Sequence, residues 1–375
     1  MTIRVIHWLP LAITAFCLSH ALPLSSKMIN NIFYAGIALP AVAHFCVQQR
    51  DTLWAMTKTL LAPLALILVI SIIAAESLSD LKFTLYLFLF AISLNLRNEG
   101  KSSADKGLFF ASLVWMVILS AITFHWAILS LEAGASIRYS QILGIQANPV
   151  HVALIIGTSI GFLWIFHLEP ILRGKSTALY AVGFLSCVAL FLLTVIMFQA
   201  RSALVGLALF FVFSLYIQGK RAVIMLLVIA MGVTLAIALG ADDVLAHRGL
   251  SYRPAIWQDA IVRLLLNCSL AWGCGHDDYL FAGRFPHPHS GYISVLYQTG
   301  VVGFSAFTLF ALIFFLRGVR SQSRWLPVAM IGWGALITTS NGMFTSPSHP
   351  LWIYFWLPTL MCLLEQQEDT HRLPD

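Results

Sequence analysis

Charge is scarce in this chain. Only 10% of its 375 residues are Asp, Glu, Lys or Arg, while 59% are hydrophobic. Soluble domains carry about 25% charged residues, so a soluble globular fold is excluded. The first apolar stretch, Leu9 to Leu22, lacks a small-residue cleavage site followed by a polar mature domain. That excludes a secretory signal peptide and predicts a retained first span. Metal-type cysteine spacing is absent as well: the six cysteines include no CxxC pair. Cys17, Cys46, Cys187 and Cys362 sit in apolar runs, where cysteine acts as a small hydrophobe. Cys268 and Cys274 fall in a polar stretch; they could pair if they face an oxidising compartment, and the sequence leaves that open. No internal repeat is visible, and the apolar runs before residue 200 are almost free of charge. A lipid-linked glycan transporter, the alternative from another class, often shows paired broken helices and would need charged residues spread through the spans of both halves.

What remains is apolar sequence in runs of membrane-spanning length. A span needs about 20 apolar residues. About twelve such runs are present: 5–24, 28–46, 59–76, 80–97, 107–130, 149–168, 177–199, 201–217, 222–240, 290–316, 325–341 and 349–364. Lysine and arginine orient them. With the N-terminus inside the cell, every short inside loop is basic. Only Lys27, Lys82, Arg138, Arg201, Arg248, Arg253, Arg263 and Arg284 of the 22 basic residues fall outside. Both termini are then cytoplasmic and the 241–289 loop faces out. Five outside arginines crowd between 201 and 284, against the topological rule, which implies a chemical use.

The polar stretch divides the chain into 1–240 with nine spans, the 241–289 loop, and 290–375 with three spans and a tail. Arg201, in MFQARSAL, stands where two apolar runs meet. It fits a snorkelling arginine at a tight outer turn or an anion clamp facing the bundle. Arg253 precedes Pro254, a residue suited to a helix's first turn. The following Ile256, Trp257, Ala260, Ile261, Leu264 and Leu265 make an apolar stripe suited to a membrane-surface helix. A helix N-terminus favours anions, and a guanidinium there adds a forked donor for phosphate. Trp257, one turn on, suits a lipid tail or a sugar face.

His287 and His289 compete as a general base just before Ser290, a plausible N-cap. A helix N-terminus disfavours imidazolium and so keeps the ring neutral, as a base requires. Gly300 and Gly303 on the next helix suggest close helix packing with a polar lining from Tyr297 and Gln298. The acidic pairs Asp242-Asp243 and Asp277-Asp278 read as solvated loop acids more readily than as metal ligands. His276 has no second histidine at helical spacing, so zinc is not expected.

In order and spacing these residues resemble the O-antigen ligase family, with O-antigen polymerases as relatives. The resemblance rests on Arg201 in a span–span junction, the Arg-x-x-x-Trp of Arg253 and Trp257, and His289-Ser290 followed by Gly300-x-x-Gly303. It covers residues 200–305; the family more often has His-Asn where this chain has His289-Ser290. It implies an all-α polytopic membrane protein of the bacterial inner membrane, with about twelve transmembrane helices. One large periplasmic loop would hold short helices and the active site. It implies transfer of a glycan from undecaprenyl diphosphate to lipid A–core, by a metal-independent inverting reaction without cofactor. Catalysis falls to His289, Arg253 and Arg201, and substrate binding to Arg248, Trp257, His287 and Tyr292. Membrane lipid is a partner; nucleic acid is not, and no oligomeric state is implied. Metal-dependent transferases of polyprenyl-phosphate sugars usually carry an acid in the first outside loop, and LPLSSKMIN has none.

The charge bias generates a topological prediction. A reporter active only in the cytoplasm should be silent when fused after Gly275, and activity there would overturn the orientation.

Overall fold

The computed structural model describes residues 2–47, 50–75, 81–95, 97–98, 101–133, 137–142, 144–238, 252–275, 277, 279–339 and 345–365. Its architecture is all-α, with two two-stranded hairpins among the described residues. In chain order the helices are α1 (Thr2–Ser19), α2 (Ser26–Phe33), α3 (Leu39–Val47), α4 (Arg50–Ala74), α5 (Lys82–Asn95) and α6 (Ser103–Ala133). There follow α7 (Pro149–Leu163), α8 (Glu169–Arg173), α9 (Thr177–Phe198), α10 (Arg201–Gln218) and α11 (Ala222–Ala238). The last are α12 (Arg253–Asn267), α13 (Gly291–Arg320), α14 (Trp325–Ala335) and α15 (Leu357–Glu365). Each of the twelve apolar runs contains helix. Among the described residues four helices are long and apolar enough to cross a membrane: Asp105–Ala133, Pro149–Arg173, Thr177–Phe198 and Gly291–Arg320. Shorter apolar helices include Leu60–Ala74, Lys82–Asn95, Arg201–Ile217, Ala222–Ala238 and Trp325–Ala335.

Proline shapes several of these helices. Three π-helical segments occur among the described residues: Tyr34–Ala38, Trp164–Leu168 and Trp352–Trp356. Each is followed two residues later by proline, at Pro40, Pro170 and Pro358. A proline inside a helix lacks its N–H, and its ring collides with the carbonyl four residues back. That carbonyl belongs to Gly36, Phe166 and Tyr354 respectively, inside each π segment. Widening the turn accommodates the ring without ending the helix.

Small residues set the closest helix approach. Helices α10 and α14 pack together, and at their crossing Gly206 faces Gly334. A Cβ on Gly334 would lie 2.8 Å from the Gly206 Cα. Without a hydrophobic drive between helices in lipid, such backbone approach is a main source of cohesion. Helix α7 is buried on nearly every side, against α6, α9, α10 and α14. Trp333 of α14 anchors the aromatic core, stacked on Phe307 and Phe314 of α13 at interplanar angles of 15°. Its indole donates to Thr359 Oγ1 at 3.2 Å. This packing holds α10, α13 and α14 at one end of the bundle, where the polar residues gather.

Candidate functional site

Three chain segments meet at that end. The first is the turn between α9 and α10. Gln199 takes a left-handed conformation (φ 47°) as the C-cap of α9, and α10 begins at Arg201. The second is the N-terminus of α13, where Ser290 caps the helix by accepting from Ile293 N–H at 3.5 Å. The third is the C-terminal turn of α14, which bridges the other two. Thr338 O accepts from Ser202 Oγ at 3.3 Å. Leu336 O and Thr339 O accept from Gly291 N–H at 2.7 and 3.0 Å. Arg201 and His289 are each one or two residues from these bonds.

Helix α12 adds Arg253. It starts at Arg253-Pro254, as the sequence predicts, and packs against α13. The apolar stripe expected of it splits into two faces. Ile256, Ala260 and Leu264 are buried in a small core with Tyr279 and Tyr297. Ile261, Leu265 and Leu266 are exposed, beside exposed Leu270 and Trp272, an apolar edge suited to a membrane surface. A chain of rings links the start of α12 to His289. Tyr252 lies 5.7 Å from Phe285, and Phe285 meets His289 edge-on at 5.6 Å.

His289 is strained and underused by the fold. Its φ is +54°, a left-handed conformation uncommon for residues other than glycine. Such strain costs on the order of 1–3 kcal/mol and clusters at functional sites. His289 Nε2, His287 Nδ1 and Trp257 Nε1 are sealed from solvent and find no hydrogen-bond partner among the described residues. Burial above all, then neighbouring His287 and the Arg253 guanidinium, push the His289 imidazole down to about 4. Burial also lowers His287. Both rings are therefore neutral near pH 7. Their ring centroids lie 4.0 Å apart.

Other expected residues have different surroundings. Tyr292 donates its hydroxyl to Trp333 O at 2.9 Å, tying α13 to α14. Arg263 pairs with Asp259 at 2.9 Å and lies over the Tyr279 ring. Asp277 accepts from the Tyr297 hydroxyl at 2.5 Å. Arg248, Asp242, Asp243, His276 and Asp278 lie outside the described residues. Among the described residues no group of three or more His, Cys, Asp or Glu has the geometry of a metal site.

Sequence reasoning missed the device that fixes the start of α13. Gly300 and Gly303 suggested helix packing, yet Gly300 breaks the helix, at φ 62° and ψ −163°. A loop closed by a Cys268–Cys274 disulfide docks into the break. Cys274 and Gly275 N–H donate to Tyr297 O and Gln298 O at 2.8 and 3.0 Å. Val301 and Val302 N–H donate to Leu270 O and Ala271 O at 2.9 and 3.1 Å. Gly273 and Gly300 lie nested: a Cβ on either would fall 2.5 Å from the other's amide nitrogen. Both have positive φ, so glycine is required twice over. Two cysteines flanking a short Gly-containing stretch were the available signal.

A curated protein named O-antigen ligase, from Pseudomonas aeruginosa, is 24% identical to this chain over 170 residues, 42% of this chain and 41% of that protein. The match thus spans less than half of that relative's length. No family model matches, and no solved structure matches.

The clip should show in stability. Closing a loop this short contributes about 2 kcal/mol in the chain-entropy account. Replacing both Cys268 and Cys274 with Ser should lower the melting temperature of the purified protein, and Gly300→Ala should lower it further. An unchanged melting temperature in both variants would mean that the loop does not hold the break.

Proposed function

We propose that this chain is a membrane glycosyltransferase of the O-antigen ligase type. It moves a glycan from undecaprenyl diphosphate to lipid A–core on the outer face of the bacterial inner membrane. The observation that carries the reading is Arg253, at a helix N-terminus, near enough for its charge to bear on a strained, neutral His289 whose Nε2 has no partner among the described residues. The distant likeness to a protein named O-antigen ligase supports it. A disulfide in the loop agrees with an oxidising compartment outside the cytoplasm. About twelve crossings, cytoplasmic termini and a loop beginning near residue 241 belong to the same proposal.

The mechanism follows from where charge develops. An acceptor hydroxyl attacks the anomeric carbon from the face opposite the diphosphate, which inverts that centre. The new C–O bond forms as the bond to the diphosphate oxygen breaks, and its electron pair leaves on undecaprenyl diphosphate. Arg253 and the amide groups of the first turn of α12 stabilise that charge, and Arg201 adds a second guanidinium. The hydroxyl proton passes to His289. A base near 4 always carries its lone pair at neutral pH, yet it holds a proton weakly. Bound diphosphate offsets the Arg253 charge and raises the basicity of His289 when it is needed. Trp257, His287 and Arg248 are proposed to line the substrate path, with Tyr292 positioning α13.

The variants test the roles. His289→Ala should lower kcat by about 10²–10⁴-fold, the usual contribution of a positioned base. Arg253→Lys keeps the charge and loses the planar fork, and should still lower the rate markedly. His287→Ala should lose less than His289→Ala. Normal transfer by all three would remove this loop from the chemistry. Activity should survive excess chelator. In cells, deletion should leave lipid A–core without long glycan; core bearing a single repeat would indicate a polymerase instead.

The pH profile is a separate check. The base acts when neutral, so kcat/KM should hold through pH 6 and fall only as pH drops toward about 4. An acid limb centred near 6.5, the ordinary histidine value, would show that His289 does not titrate as the base of the free enzyme.

A further inference from the structure

A second polar cluster lies at the same end of the bundle. His20 follows α1, His151 stands in the first turn of α7, and His349 precedes the last helical segment. The His151 and His349 rings meet edge-on, 4.9 Å apart. Beside them is a cavity of about 210 Å³ lined by His20, His151, Gln146 and Asn148, with aliphatic walls that include Ile29 and Ile155. Gln146 and Asn148 are exposed, so the cavity reaches the surface.

The fold itself uses part of this polarity. His349 Nδ1 accepts from Leu351 N–H at 3.1 Å, which makes it a neutral ring with its proton on Nε2. His151 Nδ1 is 3.2 Å from the Tyr354 hydroxyl. Asn148 Oδ1 caps α7 by accepting from Val150 N–H at 3.0 Å, leaving its amide N–H groups for another partner. Among the described residues His20 has no such duty. Its Nε2 is sealed from solvent and unpartnered among the described residues, the ring touches Phe16 edge-on, and the side chain lines the cavity. A histidine in an apolar bundle that makes no hydrogen bond to the described fold is a candidate for ligand contact.

The lining also restricts the ligand. It contains no Lys, Arg, Asp or Glu, so a phosphate or an ammonium finds no counter-charge. Neutral imidazole and amide groups on one side, with aliphatic carbon on the other, suit an uncharged ring bearing hydroxyls on one face. The chain segment that walls the cavity also braces the Arg201 turn. Tyr139 N–H donates to Met197 O at 2.9 Å and Arg138 Nε to Phe198 O at 3.2 Å.

We infer, resting on the transferase reading, that this cavity is a subsite for a neutral sugar ring of one of the two substrates. Charge and sugar are then sorted in space, the diphosphate to the arginines and an uncharged pyranose to the histidine cavity. That pyranose belongs either to the acceptor core or to the donor glycan.

The test uses the full-length protein in nanodiscs and two probes, core oligosaccharide freed from lipid A and glycan repeat freed from its carrier. His20→Leu should raise the KM of one substrate about ten-fold, the size of one uncharged hydrogen bond, with kcat preserved. His20→Gln should restore most of that affinity. Saturation-transfer NMR should show the matching free oligosaccharide bound to the unsubstituted protein and lost from His20→Leu. A raised acceptor KM assigns the site to the core sugar, and a raised donor KM to the glycan. Should His20→Leu fail to fold, Gln146→Ala on the exposed rim carries the same comparison. Unchanged KM values and unchanged binding of both probes would overturn the subsite. Sugar binding that depends on His20 in a protein without transfer activity would keep the subsite and remove the transferase reading.

Discussion

A helix broken inside an apolar bundle frees backbone groups that water cannot satisfy. At Gly300 those groups are the carbonyls of Tyr297 and Gln298 and the amides of Val301 and Val302. An unpaired buried amide or carbonyl costs on the order of 1–3 kcal/mol. The loop from Ser269 to Gly275 satisfies all four, and the disulfide keeps it in the shape that can do so. Non-helical backbone at such depth is tolerated only where other protein covers it. The first turns of α13, and His289 ahead of them, are held between this contact and the carbonyls of α14 and its C-terminal turn that accept from Gly291 N–H and the Tyr292 hydroxyl.

The same constraint explains how Arg253 comes to the site. Helix α12 runs directly into the clipped loop, and its buried residues share a small core with Tyr297 of the broken turn. Tyr297 also donates to Asp277, beyond the loop. Clip, helix and broken turn are therefore one unit with a basic and a histidine-bearing end. Its outer edge is apolar, as a lipid-facing surface requires. Arg201 belongs to a separate turn, brought alongside by the end of α14 rather than by the loop.

Much of the candidate site was legible one residue at a time. Pro254 after Arg253 marked a helix start, and the helix starts there. Ser290 read as an N-cap and acts as one. A helix N-terminus implied a neutral imidazole; burial turns out to be the larger cause. The break at Gly300 was not legible. Glycine in an apolar run reads equally as close packing or as unusual backbone, and only the docked loop selects the second. Cysteine pairing was equally open until Cys268 and Cys274 came within 5.0 Å at their Cα atoms. The π turns ahead of Pro40, Pro170 and Pro358 needed a whole helix to continue past each proline, which local sequence does not guarantee.

Sequence alone determined the class of molecule: apolar runs of spanning length leave helices as the way to satisfy the backbone, and charge scarcity confines chemistry to the ends. It also determined which residue type could meet an anion, because arginine is the cation gathered in the polar stretch. Tertiary structure decided which of those residues meet. Arg263 is spent on Asp259 and Tyr279, while Arg253 comes close enough for its charge to bear on His289. It also decided that His20, unremarkable among its apolar neighbours, stands beside His151 and His349 at a cavity. Contacts between residues more than a hundred positions apart depend on how helices cross, and those crossings are set by packed shape, which no local pattern encodes.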